Sequence, residues 1–364
     1  MSSLDKENLT ILAIGYGKKN ASAVLLTNGQ PVAFAKEEWF GGIKEDASFP
    51  IEAINFCLQS QGLIINNIDI IAYPEKPYLN FYRSIVNHIK KYPFSLFTFI
   101  KEMKSWLAEG LLTDFNIRER LAYEGEVLFV PLHMAHAANA FFTSPFDESS
   151  YFILAKGEKD LASWGLGRNN QLDALKKLSL PQELNPAKTS DWFKEIIKKT
   201  RNENLCVSGE LLSEISLPEG IFKKIHTPPS SDETGATLGA GLAVYHLILN
   251  RKKDRTIDQW ALGPKFEKRE CERFFNKHKL IFKEITTEEK TILLNKLKDD
   301  QKHFFVSQGP LVFGDNSKTQ YQFKNGVELP FGELVTALPE QLILTFKNSE
   351  ASHFLMDQYV VTKN

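Results

Sequence analysis

Three short apolar runs open the chain, Leu9–Gly15, Ala21–Thr27 and Pro31–Glu37, and the last two are joined by Asn28-Gly29. An Asn-Gly pair between apolar runs is the sequence form of a tight hairpin, because both residues accept a left-handed backbone. A strand meander is predicted. After Phe49-Pro50, apolar residues Ile51, Ile54 and Leu58 recur at helical spacing up to Gly62, and Ile68–Tyr73 reads as a buried strand. Residues 79–110 are amphipathic and aromatic with a break at Pro93, and the spacing of the aromatics in Phe81–Phe99 favours core packing. Val127–Val130 is predicted as a strand and His136–Phe142 as a helix.

The pattern starts again near Ser149. Tyr151–Ala155, Leu205–Val207 and Ile221–His226 read as strands, and Gly235–Leu249 as a helix whose glycines and alanines permit close packing. Two halves that each begin with strands and continue through α/β units predict an α/β protein with related lobes and a cleft for ligands. The divisions fall at residues 1–148, 149–264 and 265–364. Beyond Leu262-Gly263-Pro264, residues 266–302 are dense in Lys and Glu and read as a solvated connecting segment, helical over Glu284–Lys298. The tail from 303 shows two strand-like patches, Phe304–Ser307 and Leu342–Phe346.

Composition narrows the function classes. Forty-four Lys+Arg against forty-five Asp+Glu in 364 residues give a net charge of −1, which argues against nucleic acid or an anionic membrane as a general partner. Cys57, Cys206 and Cys271 are widely spaced and odd in number, so buried thiols in a reducing, cytoplasmic setting are expected rather than disulfides or a cysteine zinc site. Asp5, Lys6 and Glu7 precede only the short apolar run Ile11–Ile14, which lacks the form of an export leader. Gly235–Leu249 is shorter than the roughly 20 residues a membrane span needs.

Leu132-His133-Met134-Ala135-His136 is the densest candidate for chemistry. Residues three apart share a helix face, so His133 and His136 could present two imidazoles to one metal, with a carboxylate from elsewhere; ordinary hydrogen-bonded histidines are the alternative. The stretch Val130–Phe146, ending Ala137-Ala138-Asn139-Ala140-Phe141-Phe142-Thr143-Ser144-Pro145-Phe146, resembles the His-His-Leu-Ser-His-Ala-Ala-Ser-Ala-Phe-type signature of the NodU/CmcH carbamoyltransferase family. Ala33–Phe40 with Phe49-Pro50, Tyr73–Pro77, Gly165–Arg168, Glu233–Gly241 and Leu262-Gly263-Pro264 continue the resemblance in order, over about residues 9 to 265.

The resemblance implies duplicated actin/Hsp70-like (ribonuclease-H-like) lobes followed by a YrdC-like α+β domain, of which residues 303–364 look like a short remnant. It also implies a chemistry in which carbamoyl phosphate and ATP give a carbamoyl-adenylate, and a lobe holding iron or another divalent metal passes the carbamoyl group to a hydroxyl. Several motif positions differ here. The first histidine of the family's metal pair falls on Leu132 and the second on His136, while the aspartate of its Gly-Asp-Ala-Gly turn falls on Glu233, after Asp232. The Tyr-His-Asp-Ser loop becomes Lys18-Lys19-Asn20-Ala21, and Glu-Glu-Arg-Phe becomes Glu37-Glu38-Trp39-Phe40. The turn Asp-Gly-Val-Gly-Glu becomes Lys156-Gly157-Glu158-Lys159-Asp160, and the glycine-rich nucleotide segment becomes Ser208-Gly209-Glu210-Leu211, where Glu210 would repel a phosphate. In the tail the arginines of the adenylate-forming motif are replaced from Pro310 to Gln322, so ATP and carbamoyl phosphate are poorly provided for.

From the residues and the resemblance together, Lys44, His133 and His136 are the candidate catalytic residues. Lys18, Lys19, Gly209 and Gly235 are the candidate cofactor-binding residues, and His136 with Glu233 the candidate metal ligands. The expected function is that of a carbamoyltransferase-family protein with an eroded metal, phosphate and adenylate site, acting as a non-catalytic or regulatory partner of an active paralogue or another protein. The alternatives are a working O-carbamoyltransferase that serves a small-molecule hydroxyl from a rearranged site, and a different small-molecule or nucleotide binding activity in the same cleft.

Overall fold

The computed structural model describes residues 8–75, 112–155, 161–179, 186–217, 219–253, 256–314, 320–324, 327–330 and 336–363. The chain divides into two compact units: Met1–Gly15, Ala23–Val32 and Leu58–Ile257 form one, and Tyr16–Ser22, Ala33–Cys57 and Asp258–Asn364 the other. The aromatic segment within 79–110 and the turn 156–160 lie outside the described residues.

The opening meander forms as the alternation predicts. Strands β1 (Thr10–Gly15), β2 (Ser22–Thr27) and β3 (Gln30–Lys36) are followed by a short helix α1 (Glu38–Gly41), α2 (Ile51–Ser60), β4 (Ile70–Tyr73), α3 (Thr113–Leu121) and β5 (Glu126–Phe129). The turn between β2 and β3 has Asn28 at φ 51° and Gly29 at φ 74°, the left-handed pair that an Asn-Gly hairpin requires. The Asn28 N–H donates to the Leu9 carbonyl at 2.9 Å, which sets the start of β1 against the end of β2. The sheet order is β3-β2-β1-β4-β5, with β4 parallel to both β1 and β5.

Helix α4 (Leu132–Phe142) leads into a second sheet built from β6 (Glu148–Ala155), β7 (Leu161–Arg168), β8 (Gln171–Ser179), β9 (Asn204–Ser208) and β10 (Lys224–His226), with α5 (Pro186–Thr200) and α6 (Glu233–Ala243). Its order, read from the far edge, is β8-β7-β6-β9-β10, with an antiparallel meander and then two parallel strands. This repeats the order of the first sheet, strand for strand. The repeat is a duplicated α/β layout, as the recurrence of strand and helix signals after Ser149 predicts. Phe152, Trp164, Phe193, Ile196, Leu205 and Val207 fill the core of the second sheet. Beyond Ala243 the last helix continues as a single π turn, Val244–Ile248.

The charged segment after residue 265 is not a mere connection. Helices α7 (Lys268–Lys277) and α8 (Thr287–Asp299) flank β11 (Ile281–Glu284), and β12 (Phe304–Ser307), β13 (Gln320–Lys324), β14 (Val327–Pro330), α9 (Pro339–Asn348), β15 (His353–Met356) and β16 (Tyr359–Thr362) complete a six-stranded mixed sheet. Cys271 and Phe275, four apart on α7, are buried with Phe305, Phe346, Phe354 and Val361, so a narrow apolar stripe carries the packing while the remaining face is charged. Leu342–Phe346, expected as a strand, lies within α9. Pro339 at its first turn sets a helical start, and Leu342, Ile343 and Phe346 form one buried helical face. The three cysteines are buried and free. No helix among the described residues is long and apolar enough to cross a membrane.

Candidate functional site

The first unit holds a close pair of helices, α4 and α6, made possible by small residues. A Cβ on Gly239 would lie 1.9 Å from the Ala135 carbonyl oxygen, and one on Gly235 would lie 2.3 Å from the Ser230 carbonyl oxygen and 2.7 Å from Asn139 Nδ2. Gly235 therefore gives its space to the protein's own backbone and to Asn139. The start of α6 is closed in the same way. The Asp232 carboxylate accepts the N–H groups of Thr234 (2.9 Å) and Gly235 (3.3 Å), and the hydroxyls of Ser230 and Thr234 donate to it at 2.5 Å each. The helix end that could bind an external anion carries an internal carboxylate instead.

His136 lies on the covered face of α4 and is fully buried. Its Nδ1 is 3.3 Å from Ser208 Oγ, and Asn139 Nδ2 donates to the same oxygen at 3.3 Å and to the Ser230 carbonyl at 2.8 Å. On the other side of the ring, Nε2 is 3.5 Å from Glu210 Oε1, whose side chain is 14% exposed. That separation is an ion-pair distance, and Nε2 has no hydrogen-bond partner among the described residues; neither has Asn139 Oδ1. Glu210 is aimed by Gly209, at φ 119° and ψ 148°, where a Cβ would stand 2.2 Å from the Leu154 carbonyl oxygen. Only glycine makes that bend without moving β6.

Of the candidate residues, His136, Gly209 and Gly235 meet in this one cluster. Glu233 begins α6, and its carbonyl accepts the Thr237 hydroxyl at 3.0 Å. His133 leaves the helix in another direction: its Nε2 accepts from Lys177 Nζ at 2.7 Å. Lys18, Lys19 and Lys44 are exposed residues of the other unit. There the Lys19 ammonium donates to Glu45 (3.0 Å), which holds the Glu45 carboxyl below its ordinary range, and backbone bonds from Gly17 to Ala47 and from Ala21 to Asp46 tie the two loops together. In the same unit Glu37 is buried. Its carboxylate accepts the N–H groups of Glu52 (3.2 Å) and Ala53 (2.9 Å) and so caps the first turn of α2, while burial raises its pKa.

Two side chains of the first unit had no signal in the sequence. Lys253 donates to the carbonyls of Phe141 (3.0 Å), Ser144 (2.7 Å) and Phe146 (2.9 Å) and sits 4.7 Å from the centre of the Phe141 ring. It neutralises the carbonyl end of α4, and burial pulls its pKa down to about 8. Thr143 donates to the Asn139 carbonyl (2.6 Å), so its oxygen accepts His226 Nε2–H at 3.0 Å; burial, and next Lys253, lower the His226 pKa to about 4.

The implied metal fits these residues only in part. Leu132 offers no donor where the family has its first histidine, and no group of three or more His, Cys, Asp or Glu side chains is arranged for a metal among the described residues. The donors that face one another are His136 Nε2 and Glu210.

Residues 10–184 match the family model described as Carbamoyltransferase N-terminus. The chain is 35% identical over 183 residues to an uncharacterized protein, sll1178, of Synechocystis sp., across 48% of this chain and 30% of that protein. It is 28% identical over 152 residues to the nodulation protein NolNO of Sinorhizobium fredii, across 40% of this chain and 20% of that protein. The likeness to a carbamoyltransferase N-terminus covers about half of the chain, and the matches span less than a third of the length of these relatives. Among solved structures it is similar to YeaZ from Pseudomonas aeruginosa (12% identity, 69% of this chain and 99% of that one, TM-score 0.34). It is also similar to ROK hexokinase from Thermus thermophilus (10% identity, 64% and 98%, TM-score 0.35).

Proposed function

We propose that this chain is a carbamoyltransferase-family protein of the NodU/CmcH kind in which the phosphate and adenylate-forming residues are lost and the metal site is broken at Leu132, so that it serves as a non-catalytic or regulatory partner. Lobes at residues 1–148 and 149–264, and a connecting segment with a remnant of the YrdC-like domain over 265–364, complete this reading. The match over residues 10–184 supports the scaffold. The observation that carries the loss of function is the start of α6, where Asp232 occupies the helix amides that would otherwise receive a phosphate. Glu210 beside His136 adds a negative charge to the same cluster, which opposes a nucleotide at close range.

The test is equilibrium binding of ATP to the full chain, with pyrophosphate release followed after carbamoyl phosphate and a polyol acceptor are added. A non-catalytic partner binds ATP weakly and releases no pyrophosphate beyond the buffer control. Saturable ATP binding coupled to pyrophosphate release would assign a working O-carbamoyltransferase with a rearranged site instead.

A further inference from the structure

After the π turn Val244–Ile248 the chain runs through residues 249–253 with no place in a helix or a sheet, and Ile248, Asn250 and Lys252 are exposed. This segment reaches the far end of α4 through Lys253. Its Nζ donates to the carbonyls of Phe141, Ser144 and Phe146, which take all three ammonium hydrogens, and Ser144 Oγ lies 3.4 Å away. Among the described residues no carboxylate stands within ion-pair distance of Lys253, and Asp147 acts on it only from further off. The charge is therefore held by carbonyl dipoles and the face of the Phe141 ring. Nearer the helix, His246 stacks on Phe142 with ring centres 4.1 Å apart and donates from Nδ1 to the Arg251 carbonyl at 2.8 Å.

Next to Lys253 lies a buried thiol that the proposed function does not use. Cys206 Sγ is 3.1 Å from Ser149 Oγ and is also hydrogen-bonded to the Ser144 side chain, the one that Lys253 approaches. Cys206, Ser144 and Ser149 are fully buried, whereas Lys253 and His226 beside them keep some exposure. His226 belongs to β10, which is hydrogen-bonded along its length to β9, while the segment of Lys253 has no such ladder. An element with few buried contacts and little regular hydrogen bonding opens at lower cost than a paired strand. We propose that residues 249–253 form a strap closed by Lys253 on the end of α4, and that local opening of this strap is the event that exposes the Cys206 thiol. The strap is a gate over a reactive group, and it does not depend on whether the chain is catalytic.

Alkylation of the full chain by iodoacetamide, with the rate at each cysteine followed by peptide mass spectrometry, tests the gate. Cys57 and Cys271, buried in the other unit, serve as internal references. Lys253→Met should raise the Cys206 rate about ten-fold or more and leave the two reference rates unchanged, because the lost contacts are charge-assisted hydrogen bonds. The faster rate should stay flat in urea well below the unfolding midpoint, since a strap exposes little surface, whereas labelling through unfolding of the whole unit would climb with urea. In Lys253→Ala, methylammonium should slow the labelling by refilling the carbonyl cage, and tetramethylammonium at equal ionic strength, which has no N–H to donate, should not. The proposal is overturned if Lys253→Met leaves the Cys206 rate unchanged, if the gain rises with urea as unit unfolding requires, or if His226→Ala opens the thiol and Lys253→Met does not.

Discussion

Replacing Gly239 by alanine reverses a general rule at one position. In an exposed helix interior this change stabilises by about 1 kcal/mol, because alanine loses less backbone entropy. Here the new methyl carbon would stand 1.9 Å from the Ala135 carbonyl oxygen and 2.9 Å from the Asn139 Cβ. The first obstacle is backbone, which cannot rotate away, so α4 and α6 must separate by more than an ångström. Overpacking of this kind costs about 1–3 kcal/mol and more where backbone must shift. After the propensity gain is subtracted, a net loss of about 2 kcal/mol is expected. Urea unfolding monitored by circular dichroism gives the magnitude, and amide hydrogen exchange gives the place: protection should fall in α4 and α6 and persist in α7 and α9. A variant as stable as the parent, or more so, would refute the close helix contact and with it the positions assigned to His136 and Asn139.

Three further outcomes follow from the same geometry. Lys253→Met leaves the Phe141, Ser144 and Phe146 carbonyls without their cation and should destabilise by about 2–3 kcal/mol in the same unfolding assay; a loss under about 0.5 kcal/mol would contradict the capping role. His226 is neutral in the folded state down to about pH 4, whereas an unfolded histidine takes up a proton near pH 6.5, so stability should fall as pH drops between those values. His226→Gln should flatten that slope, and an unchanged pH profile would count against the buried neutral ring. Glu37→Ala removes the acceptor of two amides at the start of α2 and should cost about 1–3 kcal/mol, with a smaller loss for Glu37→Gln, which keeps a carbonyl oxygen; equal losses in thermal unfolding would deny the capping role.

Much of the duplicated scaffold was legible because its signals are local. The Asn28-Gly29 pair fixed the first hairpin, period-two and continuous apolar runs marked β1, β4, β6 and β9, and the small residues of Gly235–Leu249 announced the closely packed helix observed over Glu233–Ala243. The third sheet was harder to read. Cys271 and Phe275 are a narrow apolar stripe within a charged segment, and Leu342–Phe346 is too short for its period to separate strand from helix without weighing Pro339. Within the site, the sequence singled out His136, Gly209 and Gly235 but not what joins them. Glu210 stood out only as a charge hostile to phosphate, because its approach to His136 depends on a pairing of β6 with β9 that local pattern does not encode. Lys253 is one lysine in a polar stretch, and only its three carbonyl partners, more than a hundred residues away in sequence, distinguish it.

The most direct test of the account is product formation. The full chain is incubated with ATP, carbamoyl phosphate and an array of small alcohols and sugars under anaerobic conditions with iron(II), and carbamoylated product is sought by mass spectrometry. The account predicts none above the protein-free control. Catalytic turnover that disappears in the His136→Ala variant would contradict it.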